Sequence, residues 1–194
     1  MSNSNIMDEE RRRFLRNATA VVGGLGLGVA AIPFVGSWLP SARTESLGAP
    51  VQVDLSKIAP GQRITIAWRG QPIFIVNRTD AALATLAKDT NDLRDPNSLE
   101  SHQPKYITGP FRAINKQYLV LIGICTHLGC VPLYKPEAGS VDANWLGGFF
   151  CPCHGSKYDF SGRVFKSVPA PLNLAVPPYK YISDTVITVG EDQS

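Results

Sequence analysis

Cysteine is scarce in this chain of 194 residues: there are 4, with 3 histidines and 2 methionines. So low a count excludes a disulfide-dense mini-protein. No C-x-x-C pair occurs, which removes the usual thiol-exchange motif. Both methionines, Met1 and Met7, precede the long apolar run, so a blue-copper site with an axial methionine lacks its ligand. Charge of one sign is also missing. The 19 Lys+Arg against 16 Asp+Glu leave +3, and the basic residues form no cluster on the folded part, which argues against nucleic acid as a partner. Internal repeats and low-complexity tracts are absent. What remains, 44% hydrophobic and 18% charged, suits one modest globular domain plus a further element.

That element is at the N-terminus. No charged residue occurs from Ala18 to Leu39, a run long enough to cross a hydrocarbon core of about 30 Å as a helix. Arg11, Arg12, Arg13 and Arg16 precede it and only Arg43 follows closely. The asymmetry predicts a cytoplasmic N-terminus, with the rest of the chain on the far side of the membrane. Trp38 suits the outer interface. The run exceeds a secretory apolar region and no small-x-small cleavage site follows, so the reading is an uncleaved single-pass anchor. Gly24 and Gly28 permit close helix contact. "RRRFL" resembles a twin-arginine export signal, the route of proteins that fold around a cofactor before crossing, with Glu10 before the arginines.

The expected organisation is residues 1–17 cytoplasmic, 18–39 anchor, 40–50 linker or hinge, and 51–194 an exported domain. "PSARTESLGAP" (Pro40 to Pro50) is small, polar and unpatterned, as a linker is. Beyond it the signals are mainly β. Arg63 to Trp68 and Pro72 to Arg78 read as a hairpin with its turn at Arg69 to Gln71. Thr79 to Lys88 reads as a short helix capped by Thr79, and the stretch after it as loop. Gln117 to Ile124 reads as a buried strand, "GGFF" leads similarly into a second motif, and Val186 to Gly190 reads as a closing strand.

All four cysteines and two of the histidines fall in two boxes, CTHLGC (Cys125 to Cys130) and CPCHGS (Cys151 to Ser156). The third histidine, His102, sits in a polar loop and reads as a surface residue. Thiolate plus imidazole is a transition-metal ligand set. Two Cys and two His split evenly over two loops suit zinc or an iron–sulfur centre. Zinc is disfavoured, because neither box offers a C-x₂₋₄-C pair free of an intervening His. In a Rieske centre, two histidines replace two cysteines on one of two irons, which needs one Cys and one His from each loop.

The two boxes resemble the cluster-binding boxes of the Rieske iron–sulfur proteins. The whole chain, with its anchor, linker, β-rich domain and proline segment, is similar to the Rieske subunit of bacterial cytochrome bc1 complexes. The resemblance implies an antiparallel β-sandwich with a small cluster-binding subdomain, from about residue 118 to 174. It implies one [2Fe–2S] cluster held by Cys125 and Cys151 on one iron and by His127 and His154 on the other. It pairs Cys130 with Cys153, a bridge that suits an oxidising compartment. It assigns Ser156 to a bridging sulfide and Tyr158 to a ligand sulfur, as donors that raise the potential. Both donors and a disulfide together place the expected potential toward the upper end of the Rieske range of about −150 to +300 mV. Leu128 resembles a docking leucine, and Pro169, Ala170 and Pro171 match a proline loop covering the cluster, with Val168 where the family carries glycine.

The function so implied is that of an electron-transfer subunit of quinol–cytochrome c reductase, a proton-translocating membrane enzyme. His154, with His127 beside it, takes an electron and a proton from quinol. Cytochrome b and cytochrome c1 are the partners, in a dimeric complex. Two other functions compete: an electron-carrier subunit of a periplasmic molybdenum oxidase such as arsenite oxidase, and a soluble ferredoxin or oxygenase component. The anchor disfavours the last.

Overall fold

The computed structural model describes residues 3–193, and all side chains among them except those of residues 3–6, 42, 43, 47, 89 and 90. Met1 and the side chain of Arg43, both used above, lie outside the described residues. The chain forms two compact units, Met1–Ser46 and Leu47–Ser194.

The first unit is dominated by α1 (Asn3–Gly36). This helix starts well before the apolar run, because the preceding Glu, Arg and Leu residues are themselves good helix formers. From Met7 to Gly36 it is long and apolar enough to cross a membrane. Its last carbonyls are met by a tightening turn, with Ser37, Trp38 and Leu39 amides bonded to Pro33, Val35 and Gly36 carbonyls. Residues 42–48, expected to be unpatterned linker, form a second short helix, α2 (Ala42–Gly48). Ser41 Oγ accepts from the Thr44 amide at 3.3 Å and serves as its cap. Composition hid this, since one capping serine and two or three helix formers suffice for two turns.

The second unit holds nine strands among the described residues: β1 (Val51–Asp54), β2 (Arg63–Trp68), β3 (Gln71–Asn77), β4 (Tyr118–Ile122), β5 (Leu133–Lys135), β6 (Gly148–Phe150), β7 (Lys157–Tyr158), β8 (Tyr179–Ser183) and β9 (Val186–Val189). They make three antiparallel sheets, ordered β1-β9-β8, β2-β3-β4 and β5-β6-β7. The β2–β3 hairpin turns on Arg69 and Gly70, both with positive φ (51° and 72°), the backbone twist two-residue hairpins favour. Ile73 to Val76 of β3 are all at most 1% exposed. Burial on both faces explains why β3 reads as a continuous apolar run instead of alternating.

The remaining elements sit close to expectation. α3 (Asp80–Thr85) is capped by Thr79, whose hydroxyl accepts from the Ala82 amide, but it ends before Lys88. A 3-10 turn, Asp89–Asp92, follows within the stretch read as loop. His102 is exposed. One apolar core joins Leu55 of the turn after β1, Phe74, Leu119 and Leu121 of the β2-β3-β4 sheet and Ile187 of the β1-β9-β8 sheet to Phe149, Tyr158, Cys125 and Cys151. Each large side chain so buried contributes about 1.5–3 kcal/mol. The two site cysteines are therefore seated on the same core that holds the domain together.

Candidate metal centre

The loop after β4 and the loop after β6 are the same turn made twice. In the first, the Cys125 amide donates to the Cys130 carbonyl at 2.7 Å, and the Gly129 amide donates to the Cys125 carbonyl at 3.0 Å. In the second, the Cys151 amide donates to the Ser156 carbonyl at 2.8 Å, and the Gly155 amide to the Cys151 carbonyl at 3.0 Å. Each turn needs a glycine at its fifth position, with φ of 82° at Gly129 and 76° at Gly155. The spacing within the boxes now has a backbone reason. Cysteine opens the turn, glycine closes it, and the histidine is carried on the arc between.

The candidate ligands meet in pairs, thiol beside thiol and ring against ring. Cys125 and Cys151 are buried free thiols. Burial, followed by the neighbouring Cys125, raises the Cys151 thiol's pKa above its ordinary value. The His127 and His154 rings stand edge to face, centroids 4.7 Å apart, His127 half-buried and His154 exposed. Cys130 and Cys153 form a disulfide that ties the far ends of the loops. The sulfurs of Cys130, Cys151 and Cys153 lie within 4.8 Å of one another. Two of these are spent in the disulfide and have no thiolate to offer a metal, which leaves Cys151 with Cys125.

Donors surround the thiols. Tyr158 is fully buried, and its hydroxyl lies 3.2 Å from Cys125 Sγ. The Thr126 amide donates to that hydroxyl at 3.2 Å, and the phenol proton has two acceptors in reach, Cys125 Sγ and, at 3.3 Å, Thr126 Oγ1. Burial, then the adjacent Cys125, keeps the phenol protonated far above its ordinary range. Ser156 is also fully buried. Its Oγ accepts from the Ala170 amide at 3.1 Å, and its own proton has no acceptor among the described residues. A buried hydroxyl with a proton to give, on the same turn as Cys151 and His154, fits a group rich in acceptor sulfur.

The proline segment lies against these residues. Ala170 is fully buried while Pro169 and Pro171 are exposed. Val168 packs against the core, next to Ser167, which takes a positive φ of 58°. Leu128 is 72% exposed on the first loop, with Val131 and Leu133 also open to solvent. Several residues that matter here escaped the sequence reading. Thr126 Oγ1 donates to the Leu172 carbonyl at 2.6 Å. Asn173 receives the Val164 amide and donates to the Asp95 carbonyl. Arg163 pairs with Asp159 in full burial at 2.6 Å. Thr126 stands inside the first box and its hydroxyl was a visible signal; the others had none.

Comparison with known proteins gives the family. Residues 50–179 match the family described as Rieske [2Fe-2S] domain. Residues 1–41 match the one described as Ubiquitinol-cytochrome C reductase Fe-S subunit TAT signal. The ubiquinol-cytochrome c reductase iron-sulfur subunit of Allochromatium vinosum is 50% identical over 189 residues, covering 96% of this chain and 91% of that protein. The protein of the same name from Bradyrhizobium diazoefficiens is 45% identical over 181 residues, covering 93% and 94%. Among solved structures, a chain of a hyperthermophilic respiratory complex III aligns with a TM-score of 0.49 at 28% identity, covering 90% of this chain and 98% of that one. The chain belongs to the Rieske [2Fe–2S] family, among the iron–sulfur subunits of ubiquinol–cytochrome c reductase. Its cofactor is a [2Fe–2S] cluster, and the donors described above fit one.

Proposed function

We propose that this protein is the electron-transferring subunit of quinol–cytochrome c reductase, anchored by α1 with its second unit on the periplasmic side. The single observation that supports the site assignment is the twinned turn, which carries one buried thiol and one imidazole on each loop, with the two rings in edge-to-face contact. Cys125 and Cys151 hold one iron as thiolates; His127 and His154 hold the other through a ring nitrogen. When bound, the cluster supplies a one-electron couple. Around it, Tyr158 and Ser156 donate to sulfur and so favour the electron-rich state.

The second ring nitrogen of each histidine is left to hold or release a proton. His154, the more exposed, is the one that meets quinol, and His127 stands beside it. Leu128 and its apolar neighbours exclude water where quinol and the cytochrome b subunit dock. Pro169, Ala170 and Pro171 cover the inner side. Cytochrome c1 is the acceptor, and residues 40–50, α2 included, are the tether that lets the second unit serve both partners. The relatives' shared name supports this over a molybdenum-oxidase carrier. The complex in this reading is dimeric and proton-translocating.

The test is the purified, dithionite-reduced protein. Two irons and two acid-labile sulfides per chain are expected, with the low-g electron paramagnetic resonance signal of mixed Cys/His ligation. Cys125→Ala, Cys151→Ala, His127→Ala and His154→Ala should each abolish it. Stoichiometric zinc, or a signal that survives these changes, would overturn the assignment.

A further inference from the structure

The strip from Val168 to Leu174 is fastened at every second residue. The Ala170 amide donates to Ser156 Oγ at 3.1 Å. The Leu172 carbonyl accepts from Thr126 Oγ1 at 2.6 Å. The Leu174 carbonyl accepts from Arg112 Nη2 at 2.7 Å. The first two fastenings belong to the loops of the metal centre. The third comes from a residue 62 positions away in sequence that touches none of the proposed ligands.

Arg112 is fully buried. Its Nη1 donates to the carbonyls of Ser161 and Gly162, at 3.0 and 3.3 Å, and its Nε to Gln103 Oε1 at 2.9 Å. All four acceptors are neutral oxygens. Burial lowers its proton affinity to about 10, with Asp159 and Asp95 acting the other way, and it stays cationic at neutral pH. A buried cation held only by neutral groups is poor stabilisation compared with apolar packing. Its geometry is more informative. Ser161 and Gly162 belong to the turn that follows Tyr158, and Leu174 ends the strip whose amide at Ala170 orients Ser156. One planar fork thus joins the segment behind each hydroxyl donor.

We propose that Arg112 is a positioning residue for the cluster: by clamping the turn after Tyr158 to the end of the strip, it holds the Tyr158 and Ser156 hydroxyls in donor geometry and thereby raises the reduction potential. The role is one of shape. A lysine keeps the charge but cannot present four donors in a fixed plane. This inference rests on the ligand assignment made above.

The experiment compares the full chain with Arg112→Lys and with Gln103→Leu, which removes the Nε acceptor and leaves the guanidinium in place. Iron content, the reduced-state resonance spectrum, the midpoint and amide hydrogen exchange are measured on each. Arg112→Lys should bind iron stoichiometrically, show shifted g-values, and lose about tenfold in preference for the reduced state, 59 mV for one electron. Gln103→Leu should move both quantities in the same direction by less. Exchange at Gly162 and Leu174, whose amides bond to Asp159 and Gly162 carbonyls, should quicken while β2, β3 and β4 stay protected. Faster exchange at those two amides with an unchanged midpoint and spectrum overturns the proposal. If Arg112→Lys holds no iron, Gln103→Leu decides alone, and an unmoved midpoint there overturns it equally. A wild-type chain without the low-g signal refutes the ligand assignment instead, so the two failures are distinct.

Discussion

The two cysteine–histidine loops share a backbone and differ in what stands behind them. The first loop faces outward: Leu128 is open to solvent, and the chain beyond it continues into Val131 and Leu133, also exposed. The second runs directly into buried structure, through Ser156 and Tyr158 to Asp159, Ser161 and Arg163, each at most 1% exposed. Both hydroxyl donors follow the second loop, yet one of them, Tyr158, reaches across to the first loop's Cys125. The difference teaches a division of labour. Each loop has an outward part, Leu128 on the first and His154 on the second, but only the second leads straight into the buried hydroxyls, and the Cys130–Cys153 bridge ties the two together.

The largest effect expected is from cutting that bridge. With its ends 23 positions apart in sequence, changing Cys130 and Cys153 together to Ser should cost about 3 kcal/mol, read as earlier thermal bleaching of the cluster's visible absorption. A bleaching curve indistinguishable from wild type would mean the loops hold register without it. Next, Gly129→Ala and Gly155→Ala probe the equivalence of the turns. A Cβ meets nothing within 4 Å at either glycine, so the cost is backbone strain alone, about 2 kcal/mol each. Unequal losses in chemical denaturation would break the comparison.

The donors come third. Tyr158→Phe and Ser156→Ala should each lower the midpoint by about 59 mV, one tenfold change for a one-electron couple, and the double variant should approach the sum if the two act on separate sulfurs. Redox titration measures all three. Smallest is Leu128→Ala. An exposed side chain should change stability by no more than about 0.5 kcal/mol and leave the midpoint alone, while quinol-dependent turnover of the assembled complex falls. A shifted midpoint would show that the first loop also tunes the centre.

Much of the site was legible because its chemistry lies in two short runs. The two Cys/His boxes could be read from residue type and spacing, the choice of Cys125, His127, Cys151 and His154 within them came from the family resemblance, and the β2–β3 hairpin and the Thr79 cap were read from local pattern. What could not be read are the fastenings. Thr126 to Leu172, Arg112 to Leu174 and Asn173 to Asp95 span 46, 62 and 78 residues, and each joins a side chain to a backbone carbonyl in a segment with no periodicity. Nothing in a linear pattern marks a carbonyl as needing a donor. The α2 helix was missed for the opposite reason: its signals are local but weak, a single serine cap before seven residues.

The alternate fastening of Val168–Leu174 has a practical corollary for protein engineering. Transplanting CTHLGC and CPCHGS into a foreign β-scaffold would move the metal-binding atoms without their lid. On the proposal made for Arg112, a graft meant to reproduce the native electrochemistry would also have to carry that strip and an arginine placed to grip its far end.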